Sequence, residues 1–331
     1  MSSSIYRGRF APSPTGSLHF GSLVAAVGSY LDAKHNHGKW LLRIEDLDTQ
    51  RTVKGTADDI LHTLEAFGLH WDGEVLYQSQ RTSAYEVALR KLQNIGVTYP
   101  CSCTRKEIAD SSLSGIDGII YPGTCRSKFH FLSNPPQSGE GTKAARTSAW
   151  RVLTDIPFPP SGLGGRKEPD SLSQRGRVRE GVNFVEFVDT LQGTISQHLE
   201  SEIGDFVVKR ADGLFAYQLA VVVDDAFQGV THVVRGADLL SSTPRQVYLQ
   251  QLLGLATPTY LHLPVALNSL GEKLSKQTLA ARVDCQNVTN TLRQVLKFLH
   301  QAVPINLQST TKEEILAWAI KNWDVTRLKS S

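Results

Sequence analysis

The alternation of short apolar runs with helical repeats over residues 5–98 is the feature that most constrains the fold of this chain. Ile5–Phe10 has the composition of a buried strand, and the turn over 11–16 follows it with two prolines and a glycine. Gly21–His37 then places its apolar side chains on one helical stripe, and Trp40–Ile44 again has the pattern of a buried strand. Two further helical repeats lie over Asp58–Gly68 and Ser83–Gly96. This order predicts an α/β fold in which a parallel sheet carries crossover helices.

The alternation breaks between about Tyr99 and Gly181, where the chain is rich in Cys, Ser and Gly. This composition predicts an inserted module with a mobile loop, mainly over residues 136–180. The strand patterns of the first fold then return over Asn183–Asp189, Phe206–Lys209, Ala220–Val223 and His232–Arg235. Near the C-terminus, Leu292–Leu299 carries a helical apolar stripe, and Thr310–Glu313 has the spacing of a capping box.

Composition narrows the class of protein. Of the 331 residues, 40% are hydrophobic and 20% are charged, which is unlike collagen, coiled-coil or low-complexity chains. The formal net charge of +3 does not by itself indicate a nucleic-acid-binding protein. The stretch Met1–Phe10 lacks the apolar core of a signal peptide, and no run approaches the roughly 18 apolar residues of a membrane span. We therefore expect a cytoplasmic protein that does not contact membranes.

A candidate nucleotide site lies between the first strand and the first helix, in the stretch Arg9–Ser22. A helix that begins near Gly21 offers unpaired backbone amides and a partial positive charge, which together attract a phosphate group. Gly21 permits close approach, and His19 can donate a further hydrogen bond. The stretch fits equally well a turn that His19 caps and the glycines only shape.

A second candidate is the loop Gly271–Gln277, in which Lys273 and Lys276 flank Ser275. Two mobile ammonium groups beside a hydroxyl suit a polyphosphate. Lysines in loops are more often simply solvated, so this loop alone does not establish a ligand. The basic run Arg175–Arg179 is open in the same way, because it fits either a phosphate-backbone contact or a solvated loop.

Three of the four cysteines lie close together with a tyrosine, as Cys101, Cys103, Tyr121 and Cys125. Four cysteines are too few for a disulfide scaffold in a chain of this length. Three thiolates and a phenol complete the four ligands of a closed structural zinc site, although Cys-x-Cys spacing and a tyrosinate ligand are both uncommon. Spacing alone leaves zinc and free thiols open. Cys285 is remote from the cluster and is expected to be an ordinary buried thiol.

Five stretches, in chain order, closely resemble the catalytic half of glutamyl-tRNA synthetases, which are class I aminoacyl-tRNA synthetases. They are Arg9–Gly16 (RFAPSPTG), Leu42–Asp48 (LRIEDLD), Val221–Asp225 (VVVDD), Val233–Asp238 (VVRGAD) and Ser242–Gln246 (STPRQ). The resemblance runs from about residue 7 to residue 280. It implies a Rossmann-like catalytic domain in which the histidine–glycine turn and the Lys-Leu-Ser-Lys loop form one nucleotide site.

Only 55 residues follow Lys276, whereas a full glutamyl-tRNA synthetase continues into an anticodon-binding domain. The chain is therefore similar to a family of shorter paralogues, the glutamyl-Q tRNA(Asp) synthetases. This resemblance implies a ligase that activates L-glutamate with ATP and Mg²⁺ and transfers it to the queuosine base of tRNA(Asp). We expect a monomer with a zinc-bearing insertion, a short C-terminal helical module and no anticodon-binding domain.

The resemblance also implies a division of the chain. The first half of the catalytic domain is expected in residues 1–98, and the zinc-bearing, acceptor-type module with its mobile loop in 99–190. The second half of the catalytic domain, with the lysine loop, is expected in 191–284, and the helical module in 285–331.

The candidate side chains take roles from the same resemblance. Glutamate carries two carboxylates and an ammonium, so its pocket needs cationic forks, here Arg9 and Arg235, and an anion, here Glu45. The implied glutamate pocket comprises Arg9, Phe10, Ala11, Pro12, Ser13, Glu45, Tyr217 and Arg235. The implied ATP site comprises His19, Gly21, Ser22, Lys273, Ser275 and Lys276, with His19 and Lys276 catalytic. Ser22 replaces a second histidine that the family often has. The implied structural zinc site, one per chain, comprises Cys101, Cys103, Tyr121 and Cys125.

Other functions stay open at this point. A compact glutamyl-tRNA synthetase would charge tRNA(Glu) at its 3′ end instead. A non-catalytic RNA-binding paralogue would not need the complete set of Arg9, His19, Glu45, Arg235 and Lys276. A small-molecule nucleotidylyltransferase would need neither the LRIEDLD stretch nor the cysteine insertion.

Overall fold

The computed structural model describes residues 5–109, 114–115, 118–126, 148–156, 177–178, 184–266, 282–301, 303–305, 307 and 310–328. The strands are β1 (Arg7–Phe10), β2 (Lys39–Ile44), β3 (Leu76–Tyr77), β4 (Thr98–Cys101), β5 (Ser114–Gly115), β6 (Gly118–Ile119), β7 (Ala149–Val152), β8 (Arg177–Val178), β9 (Phe184–Asp189), β10 (Gly193–His198), β11 (Phe206–Lys209), β12 (His232–Gly236) and β13 (Thr259–Leu263). The helices are α1 (Phe20–His35), α2 (Thr56–Ala66), α3 (Thr82–Asn94), α4 (Arg105–Ala109), α5 (Leu199–Glu202), α6 (Tyr217–Gln228), α7 (Thr243–Leu253), α8 (Val288–Phe298) and α9 (Lys312–Asn322).

A largely parallel sheet forms the centre of the fold and confirms the predicted α/β class. β1, β2 and β3 pair in parallel in that order, and β12 pairs in parallel with β13, which pairs with β9. β1 lies next to β12: the amide of Thr231, which directly precedes β12, donates to the carbonyl of Arg7 in β1 over 2.9 Å. The central sheet therefore contains the order β3-β2-β1-β12-β13. From β1 the chain adds strands outward on one side, and from β12 it adds them outward on the other side, so the strand order switches direction between β1 and β12. In α/β folds, ligands bind at the carboxyl ends of the strands beside such a switch point.

A second, antiparallel sheet joins β4, β7 and β11. The sequence correctly predicts a strand at Phe206–Lys209, but the expectation that this strand continues the first fold is wrong. It pairs with β7, so that it supports the segment that leads to Cys101.

Two local predictions are corrected by the structure. Ala220–Val223 is not a strand but part of α6, whose Leu219–Val222 segment is entirely buried. A short apolar run has the same pattern in a buried helix as in a buried strand, so the sequence did not distinguish them. The capping box lies one residue later than predicted, since the Thr311 side chain accepts from the Glu314 amide and the Glu314 carboxylate accepts from the Thr311 amide.

The C-terminal helices belong to the same hydrophobic core as the first strands and α1. Trp323 is buried, and its indole N–H donates to Asp32 of α1 over 2.9 Å. The Asp32 carboxylate also accepts a hydrogen bond from the Tyr6 hydroxyl. Lys312 donates to the carbonyl of Ala66 at the end of α2 over 2.8 Å. These contacts hold α9 against the back of the catalytic half.

Two separate observations concern Cys285 and the lengths of the helices. Cys285 is exposed, so the expectation of a buried thiol is wrong. It lies in a polar turn in which the Asp284 carboxylate accepts from the Gln286 amide and the Asn287 side chain, ahead of α8. Within the described residues, every helix is too short or too polar to cross a membrane.

Candidate active site

A cavity of about 630 Å³ lies at the carboxyl ends of β1 and β12, beside the switch point of the central sheet. The described residues of the implied substrate sites all line it: Arg9, Phe10, Ala11, Pro12, Ser13, His19, Gly21, Ser22, Glu45, Tyr217 and Arg235. Lys273, Ser275 and Lys276 lie outside the described residues. The structure therefore brings together side chains that are separated by more than 200 positions in the sequence.

The first helix opens onto this cavity. His19 is the N-cap of α1, and its Nδ1 accepts from the Ser22 amide over 3.3 Å while its Nε2 lies 2.9 Å from the Ser22 hydroxyl. His19 thus caps the helix and also lines the cavity. Arg282 forms an antiparallel bridge with His19, and the Val283 amide donates to the carbonyl of Leu18 over 2.9 Å. The chain therefore returns to the helix start directly after the lysine-loop segment.

Two arginines and two carboxylates form a buried charge network at the floor of the cavity. The Nε of Arg9 lies 3.2 Å from Oδ1 of Asp225, and Nη1 of Arg43 lies 2.8 Å from the same oxygen. Nη2 of Arg43 lies 3.3 Å from Oε1 of Glu45. All four side chains are less than 10% exposed, and that of Arg43 is fully buried. These three ion pairs therefore interact with little screening by water.

The two carboxylates of this network differ in their pKa values. Burial raises the pKa of Glu45 above its ordinary value in spite of the nearby Arg43 and Arg9 guanidiniums. Burial acts in the same direction on Asp225, but Arg9 and Arg43 outweigh it and hold the pKa of Asp225 below its ordinary value. Asp225 is thus the fixed counter-ion of both arginines. Glu45 is the carboxylate whose charge a further cation in the cavity would stabilise.

Arg235 enters the cavity from the end of β12 and is held on several sides. Its Nη1 donates to the Tyr217 hydroxyl over 3.3 Å, and its Nη2 donates to Oγ1 of Thr243 over 2.8 Å and to Oε1 of Gln246 over 2.9 Å. Burial raises the pKa of Tyr217, so this phenol stays protonated at neutral pH. Tyr217 and Arg235 consequently present a hydroxyl and a guanidinium to one region of the cavity.

Several charged residues of the site were missed by the sequence analysis. Asp48 lines the cavity, where its Oδ2 accepts from Nε of Arg51 over 2.8 Å and from Nη1 of Arg210 over 3.1 Å. Arg43 and Asp225 lie behind Arg9 and Glu45. Arg43 could have been noticed, because it is the one charged residue of the apolar run Trp40–Ile44, and Asp225 because it and Asp224 directly follow the apolar run Val221–Val223. Nothing in the sequence pattern distinguishes Arg210 from an ordinary surface arginine.

The cysteine cluster is a compact group apart from the cavity. The Sγ atoms of Cys101, Cys103 and Cys125 all lie within 4.8 Å of one another. The Tyr121 hydroxyl lies 3.4 Å from Sγ of Cys101 and 3.6 Å from Sγ of Cys103, and it accepts from the Cys125 amide over 2.8 Å. Tetrahedral zinc with bonds of about 2.3 Å to sulfur separates its ligand atoms by about 3.8 Å. The four donor atoms fit that ion.

The acid–base state of the cluster supports the same fit. Burial opposes ionisation of Cys125, but hydrogen bonds from Tyr121 and from the Ser102 amide lower the pKa of Cys125 to about 7. Burial raises the pKa of Cys103 to about 11. At neutral pH Cys125 is therefore partly ionised, whereas Cys103 needs a nearby cation to reach the thiolate form in which cysteine binds zinc.

The remaining predicted features lie largely outside the described residues. Of the predicted insertion loop, 148–156 and 177–178 are described, and Arg177–Val178 forms β8 against β9. Whether the basic run Arg175–Arg179 contacts RNA stays a prediction.

Known proteins resemble this chain over nearly its whole length. The family model of the catalytic domain of class I (E and Q) tRNA synthetases matches residues 6–116 and 164–318. The chain is 52% identical to the glutamyl-Q tRNA(Asp) synthetase of Dechloromonas aromatica (strain RCB), over 96% of this chain and 94% of that protein. It is 49% identical to that of Chromobacterium violaceum, over 99% of this chain and 97% of that protein.

A solved structure has the same fold. The glutamate-tRNA synthetase from Elizabethkingia anophelis superposes with a TM-score of 0.71 at 23% identity, covering 99% of this chain and 67% of that one. The chain therefore belongs to the class I (E and Q) tRNA synthetase family and, within it, to the glutamyl-Q tRNA(Asp) synthetases.

Proposed function

We propose that the protein activates L-glutamate with ATP and Mg²⁺ and transfers the glutamyl group to the queuosine base of tRNA(Asp), in the anticodon loop. The observation that carries this proposal is the convergence of Arg9, Glu45, Tyr217 and Arg235 in one cavity that also reaches the start of α1. The names of the relatives supply the acceptor.

The charge of the cavity matches glutamate. The ionised residues that line the cavity are four arginines and three carboxylates, namely Arg9, Arg51, Arg210 and Arg235 with Glu45, Asp48 and Asp238. This set leaves one net positive charge, and the Arg43–Asp225 pair behind it is neutral. L-Glutamate carries one net negative charge, so its two carboxylates and one ammonium neutralise the site. The ammonium suits Glu45, whose raised pKa indicates an under-compensated charge.

The nucleotide is assigned to the end of the cavity at α1. Gly21 and the first amides of α1 suit a phosphate group, and His19 is fixed beside them by Ser22. Residues on both sides of the lysine-loop segment lie here, since Ala266 lines the cavity and Arg282 pairs with His19. We therefore assign Lys273, Ser275 and Lys276 to the phosphates of ATP.

The reaction proceeds in two balanced steps. A carboxylate oxygen of glutamate attacks the α-phosphorus of ATP, pyrophosphate leaves, and glutamyl-adenylate forms. The acceptor group on queuosine then attacks the activated carbonyl carbon, loses its proton, and AMP leaves. The described side chains contribute mainly positioning and charge stabilisation.

The cysteine cluster is assigned to one structural Zn²⁺ per chain, bound by Cys101, Cys103, Tyr121 and Cys125. Four protein ligands leave no open position for chemistry, so the ion fixes the fold of the insertion. We assign to this module the part of the predicted range 99–190 that precedes β9, since β9 pairs with β13 of the central sheet, and we propose that the module holds RNA. We further propose that the protein acts as a monomer in the cytoplasm, where tRNA and ATP are available.

The activation step is tested by glutamate-dependent exchange of pyrophosphate into ATP, with glutamine and aspartate as competing amino acids. We expect exchange with glutamate alone, and Lys276→Ala to lower it by about 100- to 1,000-fold. Exchange with glutamine at a similar rate would contradict the charge assignment. Unchanged exchange in Lys276→Ala would remove the lysine loop from catalysis.

A further inference from the structure

A buried histidine and aspartate stand behind Arg235, and no step of the proposed reaction uses them. His262 lies in β13 directly opposite Arg235 of β12 in the parallel register. Its ring and the Asp189 carboxylate are both fully buried. Nδ1 of His262 lies 2.6 Å from Oδ2 of Asp189, and Nε of Arg235 donates to Nε2 of His262 over 3.1 Å.

Asp189, His262 and Arg235 form a hydrogen-bonded series, and the positions of its protons follow from which atoms can donate and which can accept. An arginine Nε can only donate, so Nε2 of His262 must offer its lone pair. The proton of the neutral ring then lies on Nδ1 and is donated to Asp189. The Asp189 carboxylate also accepts from the amides of Leu191 and Gln192, over 3.0 and 2.9 Å, which fixes its orientation. Nε2 of His262 also lies 3.1 Å from Oγ1 of Thr243, whose hydroxyl can donate to the same lone pair. A proton on Nε2 could be donated to that hydroxyl, but it would face the Arg235 N–H and break the hydrogen bond from Arg235.

The hydrogen bonds around Arg235 leave one edge of its guanidinium group available to a ligand. Nε is bound to His262, and Nη2 is bound to Thr243 and Gln246. Among the described residues, Nη1 contacts only the Tyr217 hydroxyl, at 3.3 Å, so one of its two N–H groups is available. The orientation of the guanidinium plane therefore depends on the partner of Nε.

We propose that Asp189 and His262 are positioning residues that fix the guanidinium of Arg235 for a glutamate carboxylate and thereby set the affinity for glutamate but not for ATP. This inference rests on the proposed function, since it requires glutamate in the cavity. It assigns to the pair a role in substrate recognition beyond the linking of β9 to β13.

Two substitutions of His262 separate this role from a structural one. His262→Gln places an amide oxygen near the position of Nε2, where it accepts from Arg235. His262→Asn places an amide N–H near the position of Nδ1, where it donates to Asp189, but nothing reaches Arg235. Both variants lose the ring, so a purely structural role would affect them alike.

The test is glutamate-dependent pyrophosphate exchange by the full chain. For His262→Asn we expect the KM for glutamate to rise by about 10-fold or more, because a hydrogen bond to a charged group is lost, with the KM for ATP unchanged. For His262→Gln we expect a KM for glutamate within about 3-fold of the unsubstituted protein. An unchanged glutamate KM in His262→Asn, or equal effects in both variants, would overturn the positioning role alone. Absence of exchange in the unsubstituted protein would instead refute the proposed function and the inference with it.

A spectroscopic measurement does not depend on the folding of any variant. In protein labelled with ¹⁵N-histidine, we expect His262 as the neutral Nδ1–H tautomer, with resonances that shift when glutamate is added and stay in place with ATP alone. A charged ring, the opposite tautomer or no response to glutamate would overturn the inference.

Discussion

Asp225→Asn is the substitution that most directly probes the charge network under the cavity. The change keeps the shape of the side chain but removes the anion that Arg9 and Arg43 share, at 3.2 and 2.8 Å. Glu45, at 3.3 Å from Arg43, would remain as the one carboxylate for two buried guanidiniums. Removing one partner of a buried ion pair costs about 3–5 kcal/mol. We expect the free energy of unfolding to fall by that amount.

Urea denaturation followed by tryptophan fluorescence measures this loss. The matched control is Glu86→Gln, which removes the partially exposed partner of Lys209 and should cost only about 0–1 kcal/mol. We also expect the KM for glutamate to rise in Asp225→Asn, because Arg9 loses its fixed orientation. A loss below about 1 kcal/mol, equal to that of the control, would refute the idea that Asp225 anchors both arginines.

Three further predictions concern metal, stability and pH. The purified protein should hold one zinc per chain, and Cys103→Ser should lower both the zinc content and the melting temperature; metal analysis without zinc in the unsubstituted protein would contradict this. Trp323→Phe should destabilise the chain by about 1–3 kcal/mol, through loss of the bond to Asp32, with unchanged KM values. Burial lowers the pKa of His262 to about 4 in spite of its hydrogen bond to Asp189. As the pH falls, His262 is therefore protonated in the unfolded chain before it is protonated in the folded protein, which favours unfolding. Stability should therefore decline by about 2 kcal/mol between about pH 7.5 and pH 5, and His262→Gln should lack that part of the decline in urea titrations.

The sequence predicted the parts of the fold that depend on local periodicity. The first strand, α1 and β2 were predicted within a few residues, because their apolar spacing is regular and prolines or glycines bound them. The helix over Tyr217–Gln228 was partly misread as a strand, because a helix buried on most sides has no polar face to reveal its period. The pairing of β11 with β7 depends on contacts between distant segments, which no local pattern encodes.

The residues of the site likewise divide into those that the sequence predicted and those that it did not. Arg9, Glu45, Tyr217 and Arg235 were chosen for their chemistry and their motif context, and they do line one cavity. Arg43 and Asp225 were missed because burial, and not residue type, makes them important. His262 was not singled out either, because its role depends on its register opposite Arg235.

The most direct test of the central claim is transfer of labelled glutamate to RNA. The protein is incubated with ATP, Mg²⁺ and radiolabelled glutamate, and with queuosine-containing tRNA(Asp), unmodified tRNA(Asp) or tRNA(Glu) in separate reactions, with Lys276→Ala as the control. We predict label on queuosine-containing tRNA(Asp) alone. Label on tRNA(Glu) would identify a compact glutamyl-tRNA synthetase and contradict the proposed acceptor.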